Sequence, residues 1–140
     1  MILLDTNVLS EATKPEPDER VLRWLDALEP ERSWICAVTV AEMRLGIALL
    51  PDGRRKTGLT ELVDRLITRL GGSCLPFDAI AAEAYPAVIL DRRRLGRPIE
   101  VEDAQIAAIA IASGFTLATM NTKDFAGIGG LNLIDPSADA

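Results

Sequence analysis

Four acids spaced far apart along the chain, Asp5, Glu42, Asp103 and Asp124, stand where carboxylates can chelate a divalent cation if the fold gathers them. Asp5 ends a wholly apolar run, Met1-Ile2-Leu3-Leu4, that reads as a buried strand. A carboxylate at the end of such a strand, followed by Thr6 and Asn7, meets no obvious structural need. Glu42 falls in the first turn of a helix, Asp103 at the start of an Ala/Ile-rich helix, and Asp124 just past an apolar strand. These three also have ordinary explanations. Thr39-Val40-Ala41-Glu42 fits a capping box, Asp103 complements a helix macrodipole, and Asp124 can cap a turn. Four converging carboxylates repel one another and push their pKa values upward, which one or two bound cations would relieve. With only hard oxygen ligands on offer, the fitting ions are Mg2+ or Mn2+ rather than Zn2+.

The sequence contains no histidine. That excludes Ser-His-Asp and Cys-His catalysis and removes the commonest transition-metal ligand. Any chemistry must rest on carboxylates, hydroxyls, amides, Lys or Arg. A formal net charge of −6 speaks against a non-specific nucleic-acid coat, which works by neutralising phosphates. It leaves room for an acidic enzyme with a local basic rim. Cys36 and Cys74 lie in apolar surroundings without CxxC spacing, so two buried free thiols are expected. No apolar run reaches the roughly 18 residues that span a bilayer. Residues 1–5 have no basic flank, so they read as a first strand rather than a leader, and a cytoplasmic protein is expected.

The elements that must position the acids follow from pattern. Hydrophobic residues make up 49% of the 140 and aromatics only 4%, which suits an aliphatic core of layered helices and strands in one domain, residues 1–140. Strands are expected at residues 1–5, 34–38, 73–75, 115–119 and 131–134. Helices are expected at 8–12, after Asp18, at 40–50, 56–70, from Asp78 to 95, and at 102–113. Pro86 is expected to kink the fifth of these, and Gly71-Gly72 to end the fourth. Strands alternating with helices predict an α/β fold with a central, mostly parallel sheet covered on both faces. Ligands of such sheets sit beyond the carboxyl ends of the strands, where at least three of the acids fall.

At this point the chain resembles the PIN-domain family, and within it the VapC-type toxins of bacterial toxin–antitoxin pairs. The matching segments are Ile2-Leu3-Leu4-Asp5-Thr6-Asn7-Val8, Val38-Thr39-Val40-Ala41-Glu42-Met43-Arg44-Leu45-Gly46, Gly96-Arg97-Pro98-Ile99, Asp103-Ala104-Gln105-Ile106-Ala107-Ala108 and Ala118-Thr119-Met120-Asn121-Thr122-Lys123-Asp124-Phe125. They run in family order over most of the chain. The resemblance implies a PIN-like three-layer fold and an endoribonuclease that uses Mg2+ or Mn2+ and leaves a 5′-phosphate and a 3′-hydroxyl. It places the family's acids at Asp5, Glu42, Asp103 and Asp124, with Asp5 and Asp103 as the main metal ligands. Thr6 and Thr119 match hydroxyls lining the pocket, and Asn121 matches a polar neighbour. Met120 departs from the pattern, since close relatives often carry Arg there. A cognate antitoxin and a homodimer are further implications.

The same reading assigns RNA-phosphate contacts to Arg92, Arg93, Arg94, Arg97 and Lys123, and to the cluster at Arg54-Arg55-Lys56. Charge runs of this kind also arise simply as solvated helix ends. Rival readings are a receiver-like signalling module, which wants adjacent acids near the first strand, and a PIN-like scaffold without activity. Leu4-Asp5-Thr6 lacks the neighbouring acid that the first requires, and the presence of all four acids weighs against the second. A haloacid-dehalogenase-type phosphatase needs Asp-x-Asp, and Asp5-Thr6-Asn7 does not supply it.

Overall fold

The computed structural model describes residues 1–70 and 74–138. Five short strands, β1 (Ile2–Leu4), β2 (Ser33–Cys36), β3 (Cys74–Leu75), β4 (Thr116–Ala118) and β5 (Leu133–Ile134), form one sheet in the order β3-β2-β1-β4-β5. Every pairing is parallel. The helices are α1 (Thr6–Glu11), α2 (Glu19–Ala27), α3 (Ala37–Ala48), α4 (Arg54–Leu70), α5 (Ala79–Arg94), α6 (Val101–Ser113) and α7 (Thr122–Phe125).

Strands this short show no apolar alternation because both of their faces are covered. Leu3, Cys36 and Leu117 point into a core packed by Ala81, Val88 and the run Ile106 to Ala110, excluding Ala108. Leu4, Ile35 and Ala118 point the other way, onto Val8, Leu9, Val21, Leu25, Met43 and Val63. The sheet is thus the middle of three layers, as expected. Helix α6 is buried on most sides, as its Ala/Ile composition foretells, and closes on Gly114 in the left-handed region at φ 70°. Asp18 and Asp78 cap α2 and α5 as the sequence indicates, accepting from Arg20 N and Ala81 N. Pro86 lies inside α5.

Several details differ from the sequence reading. The chain turns helical at Ala37, so Ala37 and Val38 leave the strand and join α3. The N-cap is then Cys36, and Thr39 sits inside the first turn, so the capping box of Thr39 and Glu42 is not formed. A 3-10 turn at Pro30–Arg32 and the four-residue α7 appear where loops were expected. Cys36 is buried, but Cys74 is exposed because β3 is an edge strand, paired on one side only. The expected glycine stop at residues 71–72 and Ser73 lie outside the described residues.

Strand order sets the site. From β1 the chain runs outward through β2 to β3, then returns to the other side of β1 to lay down β4 and β5. The carboxyl ends of β1 and β4 therefore flank a topological switch point, the crevice where open parallel sheets bind ligands.

Candidate active site

Asp5 follows the last residue of β1 and is 3% exposed, its N–H donating to Ala118 O of β4 at 2.9 Å. Its carboxylate is fixed on both oxygens. Thr6 N donates to Oδ1 at 2.8 Å and the Thr119 hydroxyl to Oδ2 at 2.9 Å. Thr119, fully buried at the end of β4, also accepts from Asn7 Nδ2 and from Asn121 N, each at 3.1 Å. Asn7 in turn accepts from Met120 N at 3.2 Å through Oδ1. The ends of β1 and β4 are thereby locked together by side chains, and Asp5 has little freedom to rotate.

Glu42 arrives from α3. The Thr6 hydroxyl donates to its Oε1 at 2.8 Å and lies 3.1 Å from Thr39 Oγ1, which is itself buried. Thr39 thus supports Thr6 rather than capping a helix. Asp103 stands half-buried in the first turn of α6, and Asp124 projects, exposed, from α7. Asn121 is exposed and contributes its backbone N–H, not its amide, to Thr119.

The electrostatics tie the four acids to one place. Burial pushes the Asp5 carboxyl up, its two hydrogen-bond donors pull it down, and the charges of Glu42 and Asp124 raise it again. Asp103 is pushed up to about 6, first by burial and then by the charges of Asp5, Glu42 and Asp124, with Glu100 adding to them. Each of the four acids of the sequence analysis therefore enters a single repulsive field. Among the described residues no three acids or thiols form a ready-made cluster able to hold a metal ion.

The pKa of Asp103 has a measurable consequence. A carboxyl whose folded pKa lies above its unfolded value binds its proton more tightly in the folded state. For the chelator-treated chain, the stability that Asp103 withholds above about pH 6 should return as the pH falls towards about 4. Glu11 and Asp18 are shifted down, so their losses begin only as the pH drops below the ordinary carboxylate range. Melting curves of wild type and Asp103→Asn should converge over this window as the pH falls. Parallel curves would contradict the assignment.

One basic residue fares differently from expectation. Arg92 is 4% exposed, with Nε donating to Arg97 O at 2.9 Å and Nη1 to Lys123 O at 3.2 Å and Ala126 O at 2.7 Å. Its guanidinium is spent on the backbone, so the RNA-contact expectation for Arg92 is corrected. Arg93, Arg94, Arg97 and Lys123 are exposed, with Arg94 pairing to Asp91 at 3.2 Å at the surface. Asn7 and Thr39 are site residues that sequence reasoning did not single out. Asn7 carried one signal, a polar side chain two residues after the acid at a strand end.

Comparison with known proteins agrees with this architecture. The PIN domain family model matches residues 2–131. A VapC ribonuclease of Sinorhizobium fredii, Y4jK, is 42% identical over 97% of this chain and 97% of its own length. Toxin FitB of Neisseria gonorrhoeae is 44% identical over 89% of this chain and 91% of its own. A solved FitAB complex bound to an IR36 DNA fragment superposes with a TM-score of 0.92 at 40% identity, covering 100% of this chain and 98% of the other. With a family model matched over nearly all of its length and relatives of this kind end to end, the chain belongs to the PIN-domain family.

Proposed function

We propose that the chain is the toxin of a toxin–antitoxin pair and acts as an endoribonuclease dependent on Mg2+ or Mn2+. One observation carries the reading: Asp5, Glu42, Asp103 and Asp124 share one field at the carboxyl ends of β1 and β4, and Asp103 is pushed up to about 6 by burial first and by the charges of the other three after it. The ribonuclease name of the Sinorhizobium relative and the toxin name of the Neisseria relative support the same activity.

The donor set fits the metal. It is all oxygen, carries more negative charge than its surroundings offset, and contains no imidazole; its thiols, Cys36 and Cys74, lie on β2 and β3. Asp5 and Asp103 would hold the ion, with Glu42 and Asp124 completing the pocket directly or through water. A bound ion of this kind polarises a phosphodiester and lowers the pKa of an attacking water. The protein's own part is positioning. Thr6 N and the Thr119 hydroxyl keep both Asp5 oxygens in one orientation, and the Thr6 hydroxyl holds Glu42 beside it. Without histidine, the proton of the attacking water passes to a carboxylate.

An antitoxin partner and a homodimer belong to the same proposal. Leu45 in α3, Leu49 at its C-cap and Val101 at the start of α6 are 59%, 76% and 54% exposed. Exposed apolar side chains on α3 and α6 leave apolar surface that another chain would cover. The FitAB complex supports a two-protein assembly.

The test is direct. Purified chain, freed of any inhibitor, should cut mixed RNA with Mn2+ or Mg2+ and stop when chelator is added. Mn2+ at about 100 times its Kd should stabilise the fold by about 2.7 kcal/mol, because only the folded site binds. Chelator-resistant cleavage, or no thermal shift, would sink the metal-dependent reading; absence of cleavage despite a shift would leave a metal-binding scaffold.

A further inference from the structure

A second concavity opens beside the acids. Helices α1, α3 and α4 enclose a cavity of about 240 Å³ that shares Thr6 and Glu42 with the active site. Its floor is apolar, including Met43 and Val63. Ser10 and Thr13 place hydroxyls on the α1 side, and Arg55, in the first turn of α4, stands on the opposite side.

Two of these residues lack a role in folding. Gly46 sits inside α3, where glycine weakens a helix relative to alanine. A Cβ built there would meet nothing within 4 Å, so internal packing does not require the glycine. What its small size does is keep the cavity open. Arg55 has no ion-pair partner among the described residues, while its neighbour Lys56 pairs with Asp52 at 3.2 Å and Arg44 pairs with Asp64. An unpaired arginine on the lining of a largely apolar slot that also carries hydroxyls suits a nucleotide, with charge for the phosphate and apolar surface for the base.

We propose that this cavity is a subsite for the RNA nucleotide next to the scissile phosphate. The base enters over Gly46, and the Arg55 guanidinium meets the phosphate. This rests on the nuclease reading above and adds where the substrate's neighbouring residue lies. The shared wall at Thr6 and Glu42 puts the subsite one step from the acids. The Arg55 side chain and the hydroxyls of Ser10 and Thr13 on its lining favour a nucleotide as its occupant.

The discriminating substitution is Gly46→Leu, which fills the cavity while improving helix propensity. Gly58 in α4 is equally unobstructed but does not line the cavity, so Gly58→Leu is the control. Binding of a fluorescein-labelled, mixed-sequence oligoribonucleotide to the full chain would be followed by anisotropy in chelator, and cleavage of the same RNA with Mn2+. Gly46→Leu and Arg55→Ala should each weaken binding and kcat/KM about 10- to 100-fold, the range that loss of one base contact produces. Gly46→Leu should melt at or above the wild-type temperature, and Gly58→Leu should bind as wild type. A stable Gly46→Leu chain with undiminished RNA affinity would overturn the subsite, as would a wild type that binds no RNA. Undiminished affinity combined with lost capture of the partner protein would give the cavity to a protein segment instead, which also overturns it. Cleavage that is metal-dependent but indifferent to Gly46→Leu defeats this inference alone. Gly46-dependent binding without cleavage defeats the nuclease reading and leaves the subsite standing.

Discussion

Asp103→Asn should abolish RNA hydrolysis and, at the same time, make the metal-free chain harder to melt. Even an outer-shell partner of a metal ligand is worth about 10- to 100-fold in affinity or activity, so loss of the direct ligand proposed above should lower kcat/KM by about 100-fold or more. The opposite sign for stability follows from the same charge. With its pKa pushed up to about 6, Asp103 is ionised at pH 7.5 against its burial first and then against the repulsion of Asp5, Glu42 and Asp124. Asparagine keeps the shape and removes the charge. Asp103 is half-buried, so solvent screening trims the gain, and a rise of about 2–4 °C in Tm is expected in chelator. Adding Mn2+ should then reverse the order, because wild type gains stability from the ion and the variant does not. Differential scanning with and without Mn2+, beside RNA cleavage, reads all three quantities. A variant that cleaves RNA like wild type, or one that Mn2+ stabilises equally, would remove Asp103 from the site.

The second large effect lies away from the chemistry. Arg92→Ala should destabilise the fold by about 3 kcal/mol. The guanidinium is nearly enclosed and donates to three backbone carbonyls, those of Arg97, Lys123 and Ala126. Hydrogen bonds from a charged donor contribute roughly 1.5–3 kcal/mol each, and a buried acceptor left alone costs about 1–3 kcal/mol. The three share one side chain and do not add in full. The loss is a large fraction of the 5–15 kcal/mol typical of a domain. Lysine has one ammonium in place of the planar fork, so Arg92→Lys should recover only part of it. Urea denaturation should show a shifted midpoint for both variants and near-wild-type behaviour for the exposed Arg93→Ala. A change below about 1 kcal/mol for Arg92→Ala would show that the carbonyls find other donors.

Arg92 also shows where a sequence stops being informative. Three arginines in a row read as a solvated helix end, yet successive helical residues point about 100° apart, so a run of three cannot face one way. Nothing local says which one turns inward; that depends on α7, thirty-odd residues later in the chain. Asp5 was legible because an apolar run stopping at an acid is hard to explain otherwise, and α6 because its composition demands burial. The β2–α3 boundary was not. Ala37 and Val38 continue an apolar run that suits a strand, while the covered sheet removes the alternation that would mark its end. That single shift moved Thr39 from an N-cap into the support of Thr6, which changes the meaning of Glu42 beside it. Helix α7, at four residues, is too short for periodicity to reveal.

The side-chain lock between Asp5 and Thr119 joins positions 114 residues apart. Such a contact forms only after nearly everything between the two has been synthesised and packed. A nascent polypeptide that has reached α6 already carries Asp5, Glu42 and Asp103, but it lacks the strand that orients the first of them. For the ribonuclease proposed above, this ordering puts the fixing of the Asp5 carboxylate after the synthesis of β4 and Thr119.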